Sequence, residues 1–163
     1  MPHLRHMSTK GLLVLQRLEG FRAAIYRDEG GRETVGYGHL VLPEDTLMRR
    51  FVAPLTREAA QELLRQDVLR FEVGICGALK AGVSLTAWEY DALVCFAFNV
   101  GVGNFCKSTM LRLLNDGAPR AAVADQFARW VYVTDQATGR SCVSMGLRKR
   151  RAVEARMFAG GTP

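Results

Sequence analysis

Three residues near the N-terminus have types and spacing that could carry out acid–base chemistry. Asp28 follows Glu19 by nine positions, and Thr34 follows Asp28 by six. Two carboxyls that converge across a cleft can divide the labour of glycoside cleavage. One gives a proton to the leaving oxygen, and the other stays ionised on the opposite side. Glu19, at a helix end beside Leu18 and Phe21, suits the protonated part. Asp28, in the polar run Asp28-Glu29-Gly30-Gly31-Arg32, suits the ionised part. A Glu at a helix end and an Asp in a glycine-rich turn are also ordinary surface features, and a β-branched Thr34 is an ordinary strand residue. Spacing alone leaves both readings open.

The elements that must position these residues can be read from local pattern. A first helix is expected from Thr9 to about Glu19, with Ser8 as N-cap, Leu12, Leu15 and Leu18 as its apolar stripe and Gly20 as terminator. Ala24–Arg27 and Thr34–Tyr37 read as strands around the glycine-rich turn, where Gly30 and Gly31 permit a tight reversal. Thr56 caps a long helix from about Arg57 to Leu79, and Thr86-Ala87-Trp88-Glu89 is a capping-box pattern opening a very apolar helix through Phe98. Ser108 starts a short helix ending near Asn115-Asp116-Gly117. Pro119 fits the first turn of another that runs to about Trp130. A polar loop then precedes a last helix from about Ser144 to Phe158. One early hairpin in a mostly helical chain makes an α+β fold. Its expected layout is a small N-terminal lobe (about 8–56), a connecting helix (about 57–80) and a larger helical lobe (about 81–160). His6-Met7 reads as a cloning junction, which would make residues 1–7 a scar ahead of the natural start.

The fuller pattern is far more specific than the spacing. Leu18-Glu19-Gly20-Phe21, Tyr26-Arg27-Asp28 and Thr34-Val35-Gly36-Tyr37-Gly38-His39 together resemble the signature of phage-type lysozymes, glycoside hydrolase family 24. The resemblance continues through Phe98-Asn99-Val100-Gly101, Phe127-Ala128-Arg129-Trp130 and Gly146-Leu147-Arg148-Lys149-Arg150-Arg151-Ala152-Val153-Glu154, in order along nearly the whole chain. It implies a lysozyme-like fold and hydrolysis of the β-1,4 bond between N-acetylmuramic acid and N-acetylglucosamine in peptidoglycan. Glu19 would be the general acid, Asp28 would position and activate water, and Thr34 would help hold that water. Inversion is the implied outcome, and inverting carboxyls stand roughly 6.5–9.5 Å apart. A nearer pair would restore the retaining scheme.

Supporting roles follow from the same resemblance. Arg150 falls where the family places an arginine beside the catalytic Glu, here Glu19. The other basic residues of Arg148–Arg151 read as a solvated face. Phe98 and Asn99 fit a cleft wall, and Thr109 is either a cleft residue or a plain first-turn residue. Gly38, alternating with Gly36, would let a glycan approach the backbone. His39 reads as support for the hairpin, and Phe96, Trp88 and Trp130 read as core.

The 163 residues include 48% apolar and 23% charged side chains, enough for a core and against a disordered chain. A net charge of +6 points to an anionic partner. Among such partners the wall is favoured over nucleic acid, because no stacking aromatics interleave the arginines. Cys76, Cys95, Cys106 and Cys142 make no C-x-x-C and read as reduced thiols, and His3, His6 and His39 are not at zinc-ligand spacing. Neither metal nor cofactor is expected, and no signal peptide or membrane anchor is visible. The resemblance implies a monomeric endolysin held in the host cytoplasm until a holin opens the membrane. Two rivals remain. A lytic transglycosylase would need no water-positioning partner, and a non-catalytic wall-binding module would be expected to lose Glu19 or Asp28.

Overall fold

The computed structural model describes residues 4–28, 30–44, 54–135 and 137–161. In chain order these form α1 (Thr9–Glu19), β1 (Arg22–Arg27), β2 (Glu33–Gly36), β3 (His39–Leu40), α2 (Arg57–Ala78), α3 (Ala87–Val100), α4 (Val102–Cys106), α5 (Thr109–Asn115), α6 (Arg120–Ala124), a 3-10 turn (Phe127–Arg129), β4 (Tyr132–Thr134), β5 (Ser141–Val143) and α7 (Met145–Phe158). The fold is α+β, as the hairpin among helices implies. It divides into a hairpin unit, Leu12–Arg70, and a helical unit made of Met1–Gly11 with Phe71–Pro163. Helices α1 and α2 each give residues to both units.

The hairpin unit is built on a three-stranded antiparallel sheet of order β1-β2-β3. Tyr26 pairs with Thr34 and Arg27 with Glu33, while the register slips between Arg22 and Tyr26. β2 pairs in turn with β3, Thr34 opposite Leu40 and Val35 opposite His39. Val35, Tyr37 and Leu15 are buried with Leu55, Ala60, Leu63, Leu64 and Val68, and each of the valines and leucines contributes about 1.5–3 kcal/mol when fully withdrawn from water. Gly36 has φ +66°, and a Cβ there would lie 3.3 Å from that of Ala60, so a larger residue would meet both strain and α2. His39 is buried, and its Nδ1 lies 2.9 Å from each carboxylate oxygen of Asp67 on α2. The histidine expected to support the hairpin does so by tying β3 to a helix.

In the helical unit, α3 buries every residue from Glu89 to Ala97. Its N-terminus carries the expected capping box, with Thr86 and Glu89 each accepting from the other's backbone amide. Around Phe96 the rings of Phe127 and Trp130 pack edge-on at 5.4 and 5.3 Å, and Phe158 lies 5.8 Å from Phe127. Cys95 is buried at the middle of α3, and all four cysteines are free thiols.

The segment ahead of α1 is bonded into this unit. Arg5 donates to Leu85 O and accepts at its own carbonyl from Tyr90 Oη, at 2.6 and 2.7 Å. Glu72 takes the Met7 amide at 2.7 Å and faces His6 Nδ1 at 2.8 Å, while Asp91 accepts from the Ser8 amide and hydroxyl.

Two expectations fail between Pro119 and Ser144. The helix expected to run to Trp130 ends at Ala124 and gives way to the 3-10 turn, with Pro119 outside it as N-cap. The polar loop that follows is a second hairpin, Tyr132 opposite Val143 and Thr134 opposite Ser141. Its turn is held by Asp135 Oδ1, which accepts from the amides of Ala137 and Thr138 at 2.9 and 2.8 Å. The run Tyr132-Val133-Thr134 ahead of Asp135, with Gly139 closing the turn, was the available signal.

Candidate active site

Glu19, Asp28 and Thr34 all fall in the hairpin unit, each set by a different element. Glu19 is the last residue of α1, where Gly20 N closes onto Gln16 O at 3.0 Å and turns the chain toward β1. Glu19 is half-buried. Its Oε2 lies 3.5 Å from where a Cβ would stand on Gly38, which has φ +86°. Gly38 therefore leaves open backbone beside the Glu19 carboxyl.

Asp28 sits at the end of β1, where Asp28 N donates to Arg32 O and Gly31 N to Asp28 O, at 2.9 and 2.8 Å. Its carboxylate accepts four N–H bonds. Oδ1 takes the amides of Gly30 and Arg32, both at 2.9 Å. Oδ2 takes Nε and Nη2 of Arg32, at 3.0 and 2.8 Å. The Arg32 amide, then the Arg32 side chain, hold the Asp28 carboxyl below its ordinary value of 3.8.

Thr34 is 5% exposed on β2, and its hydroxyl donates to Arg32 O at 3.2 Å. A threonine hydroxyl has one proton and two lone pairs. While that bond stands, Thr34 meets a water as an acceptor. Arg32 thus connects two of the three residues, through its side chain to Asp28 and through its carbonyl to Thr34.

The supporting candidates in the helical unit have varied surroundings. Phe98 is half-buried, its ring 4.9 Å from that of Phe71. Asn99 is exposed, and its Oδ1 accepts from Arg151 Nη2. Thr109 opens α5, exposed in a shallow cavity of about 260 Å³ shared with Lys107, Ser108, Arg112 and Asn115. Arg150 is buried, donating from Nε to Glu154 Oε1 and from Nη2 to Cys95 O, both at 3.0 Å.

One sequence reading is overturned here. Arg151 is not part of a solvated basic face: it is 2% exposed, pairs with Glu154, donates to Trp130 O at 3.1 Å and lies over the Phe96 ring. The missed signal was periodicity, because positions three and four before Glu154 share its helix face. Arg32 was passed over as one residue of a turn.

The chain is similar to known phage lysozymes and endolysins. Residues 16–154 match the phage lysozyme family model. The endolysin of Acyrthosiphon pisum secondary endosymbiont phage 1 is 35% identical over 153 residues, covering 94% of this chain and 97% of the relative. The endolysin of Bacillus phage PZA is 37% identical over 96% of this chain, which spans only 56% of that relative's length. Among solved structures, the muramidase domain of SpmX from Asticaccaulis excentricus superimposes with a TM-score of 0.82 at 31% identity, covering 98% of this chain and all of the other. A P22 lysozyme mutant gives 0.75 at 30% identity over 95% of this chain and 99% of the other. The fold is that of a lysozyme. The chain belongs to the phage lysozyme family.

Proposed function

We propose that this chain is an endolysin that hydrolyses the β-1,4 bond between N-acetylmuramic acid and N-acetylglucosamine in bacterial peptidoglycan. The observation that carries the reading is the pairing of a half-buried Glu19 beside open Gly38 backbone with an Asp28 fixed as an anion, in the spacing of the family. Glu19 delivers its proton to the glycosidic oxygen. Asp28 places negative charge against the oxocarbenium-like transition state and positions and activates the attacking water. Thr34 helps hold that water by accepting one of its protons. By the family resemblance Phe98, Asn99, Thr109 and Arg150 are the supporting residues of the reaction.

The net charge of +6 supports attraction to an anionic wall, an effect that salt weakens. No helix among the described residues is long and apolar enough to cross a membrane. The same reading makes the protein a monomer that waits in the host cytoplasm for a holin to release it. Mass spectrometry of fragments released from purified peptidoglycan tests the chemistry. Fragments with reducing ends, carrying the mass of an added water, are expected. Anhydro ends would make it a lytic transglycosylase and remove the job given to Asp28. Glu19→Gln should abolish release while the protein stays folded, and retained lysis would take the acid role from Glu19.

A further inference from the structure

We propose that Arg32 is a positioning residue for the reaction: its guanidinium fixes Asp28 Oδ2 and keeps that carboxylate charged and aimed while the bond is cleaved. The inference rests on the reading of Asp28 as a reacting carboxylate.

Asp28 accepts four N–H bonds within the hairpin. The two on Oδ1 are supplied by backbone amides and come with the turn itself. The two on Oδ2 come from one planar side chain in a fork-like grip, with Nε at 3.0 Å and Nη2 at 2.8 Å. The turn therefore sets where the carboxylate sits, and Arg32 sets how its outer oxygen faces. A carboxylate held this way stays a firm anion facing the transition state. The same residue's carbonyl takes the Thr34 hydroxyl proton at 3.2 Å, so one residue orients both groups assigned to the water. The neighbouring charges on the hairpin are Arg27 and Glu33, 3.9 Å apart, with Arg27 also donating to Gly31 O, and Glu19 closes α1. Within the hairpin, Arg32 is the cation that touches Asp28.

The second hairpin supplies an internal reference. Asp135 accepts from the amides of Ala137 and Thr138 and from the Thr138 hydroxyl. Its carboxyl is likewise held below the ordinary value, first by the Thr138 amide. A turn can thus lower a carboxyl by itself, and what Arg32 adds can be measured against it.

The test is a titration of the full chain, in wild type, Arg32→Ala and Arg32→Lys, with ¹³C-labelled aspartate. Asp28 and Asp135 are followed together, beside the pH profile of kcat/KM on purified peptidoglycan. The Asp28 midpoint should rise in Arg32→Ala and return partway in Arg32→Lys, while Asp135 stays put. The acidic limb of the rate profile should rise by the same interval, and below it the rate falls about tenfold per pH unit as the ionised fraction falls. The thermal midpoint should barely change, because an exposed ion pair contributes little to stability. An unmoved Asp28 midpoint would overturn the role of Arg32 and leave that of Asp28 standing. A midpoint that moves while the rate profile does not would overturn the catalytic reading of Asp28, and Arg32's place with it. Should Arg32→Ala fail to fold, Arg32→Lys and Arg32→Gln carry the same measurement.

Discussion

Asp28 in the hairpin unit and Glu154 in the helical unit are both carboxylates gripped by arginine, and their surroundings drive them in opposite directions. Asp28 has one guanidinium and two turn amides at the protein surface, and its carboxyl lies below the ordinary range. Glu154 has two guanidiniums, Arg150 and Arg151, and is 0% exposed. Burial nonetheless pushes its carboxyl up, ahead of the pull of both cations. Burial likewise pushes Arg151 below its usual value. What separates the two sites is water: hydrogen bonds added at the surface lower a carboxyl, whereas removing solvent raises it against any count of partners. The surface site is suited to working as an anion. The buried one links α7 to the C-terminal half of α3, through Arg150 to Cys95 O and Arg151 to Asn99.

The contrast can be broken at either end. Asp28→Asn should reduce glycan cleavage by about 10²–10⁴-fold with little change in the urea midpoint. A large stability loss instead would make Asp28 a structural residue. Glu154→Ala should do the reverse, costing about 3–5 kcal/mol in urea unfolding, because it leaves buried guanidiniums unpaired. Replacing Arg150, Arg151 and Glu154 together with apolar residues of similar volume should cost less than Glu154→Ala alone, since no charge is then stranded. If the triple variant were the less stable, the triad would be a net stabiliser and the contrast would weaken.

The smallest effect is a pH dependence. Asp28 has a depressed folded value, so its stabilising contribution is present above its unfolded value near 3.8 and is lost as pH falls through the lower folded one. The melting-temperature advantage of wild type over Asp28→Asn should therefore be steady above that pH and shrink below it. An advantage that grew in acid would reverse the sign assigned to Asp28.

What could be read from the sequence was the chemistry that closes within a few residues. Ser8, Thr56, Thr86, Ser108 and Ser144 each cap the helix they were expected to start, their side chains accepting from amides three positions on. The long helix was expected from Arg57 to Leu79 and runs Arg57–Ala78. Asp28 followed by two glycines implied an ionised residue in a tight turn. The failures lie where distant partners decide. A run of four basic residues looks solvated until the partners of one face are known, and Arg151 meets Trp130, Phe96 and Asn99 from earlier in the chain. The second hairpin was read as a polar loop because the strands flanking Asp135 are only three residues each, and the helix before it was drawn too long because Ala121, Ala122 and Ala124 favour helix. Arg32 escaped notice because its two-pronged grip exists only once the turn has brought it back to Asp28.

The strap formed by residues 4–8 has a consequence for the order in which the chain can assemble. The hairpin unit is one unbroken stretch, Leu12–Arg70, whereas the helical unit joins Met1–Gly11 to everything after Phe71. During synthesis every residue of the hairpin unit leaves the ribosome before Glu72, Tyr90 and Asp91, the partners that Arg5, His6, Met7 and Ser8 require. Residues 5–8 are among the last to find their place, and the contacts that seat them span as many as 85 positions. Loop closure over such distances is slow compared with a local hairpin, so the strap stays unseated until its partners in the helical unit have been made.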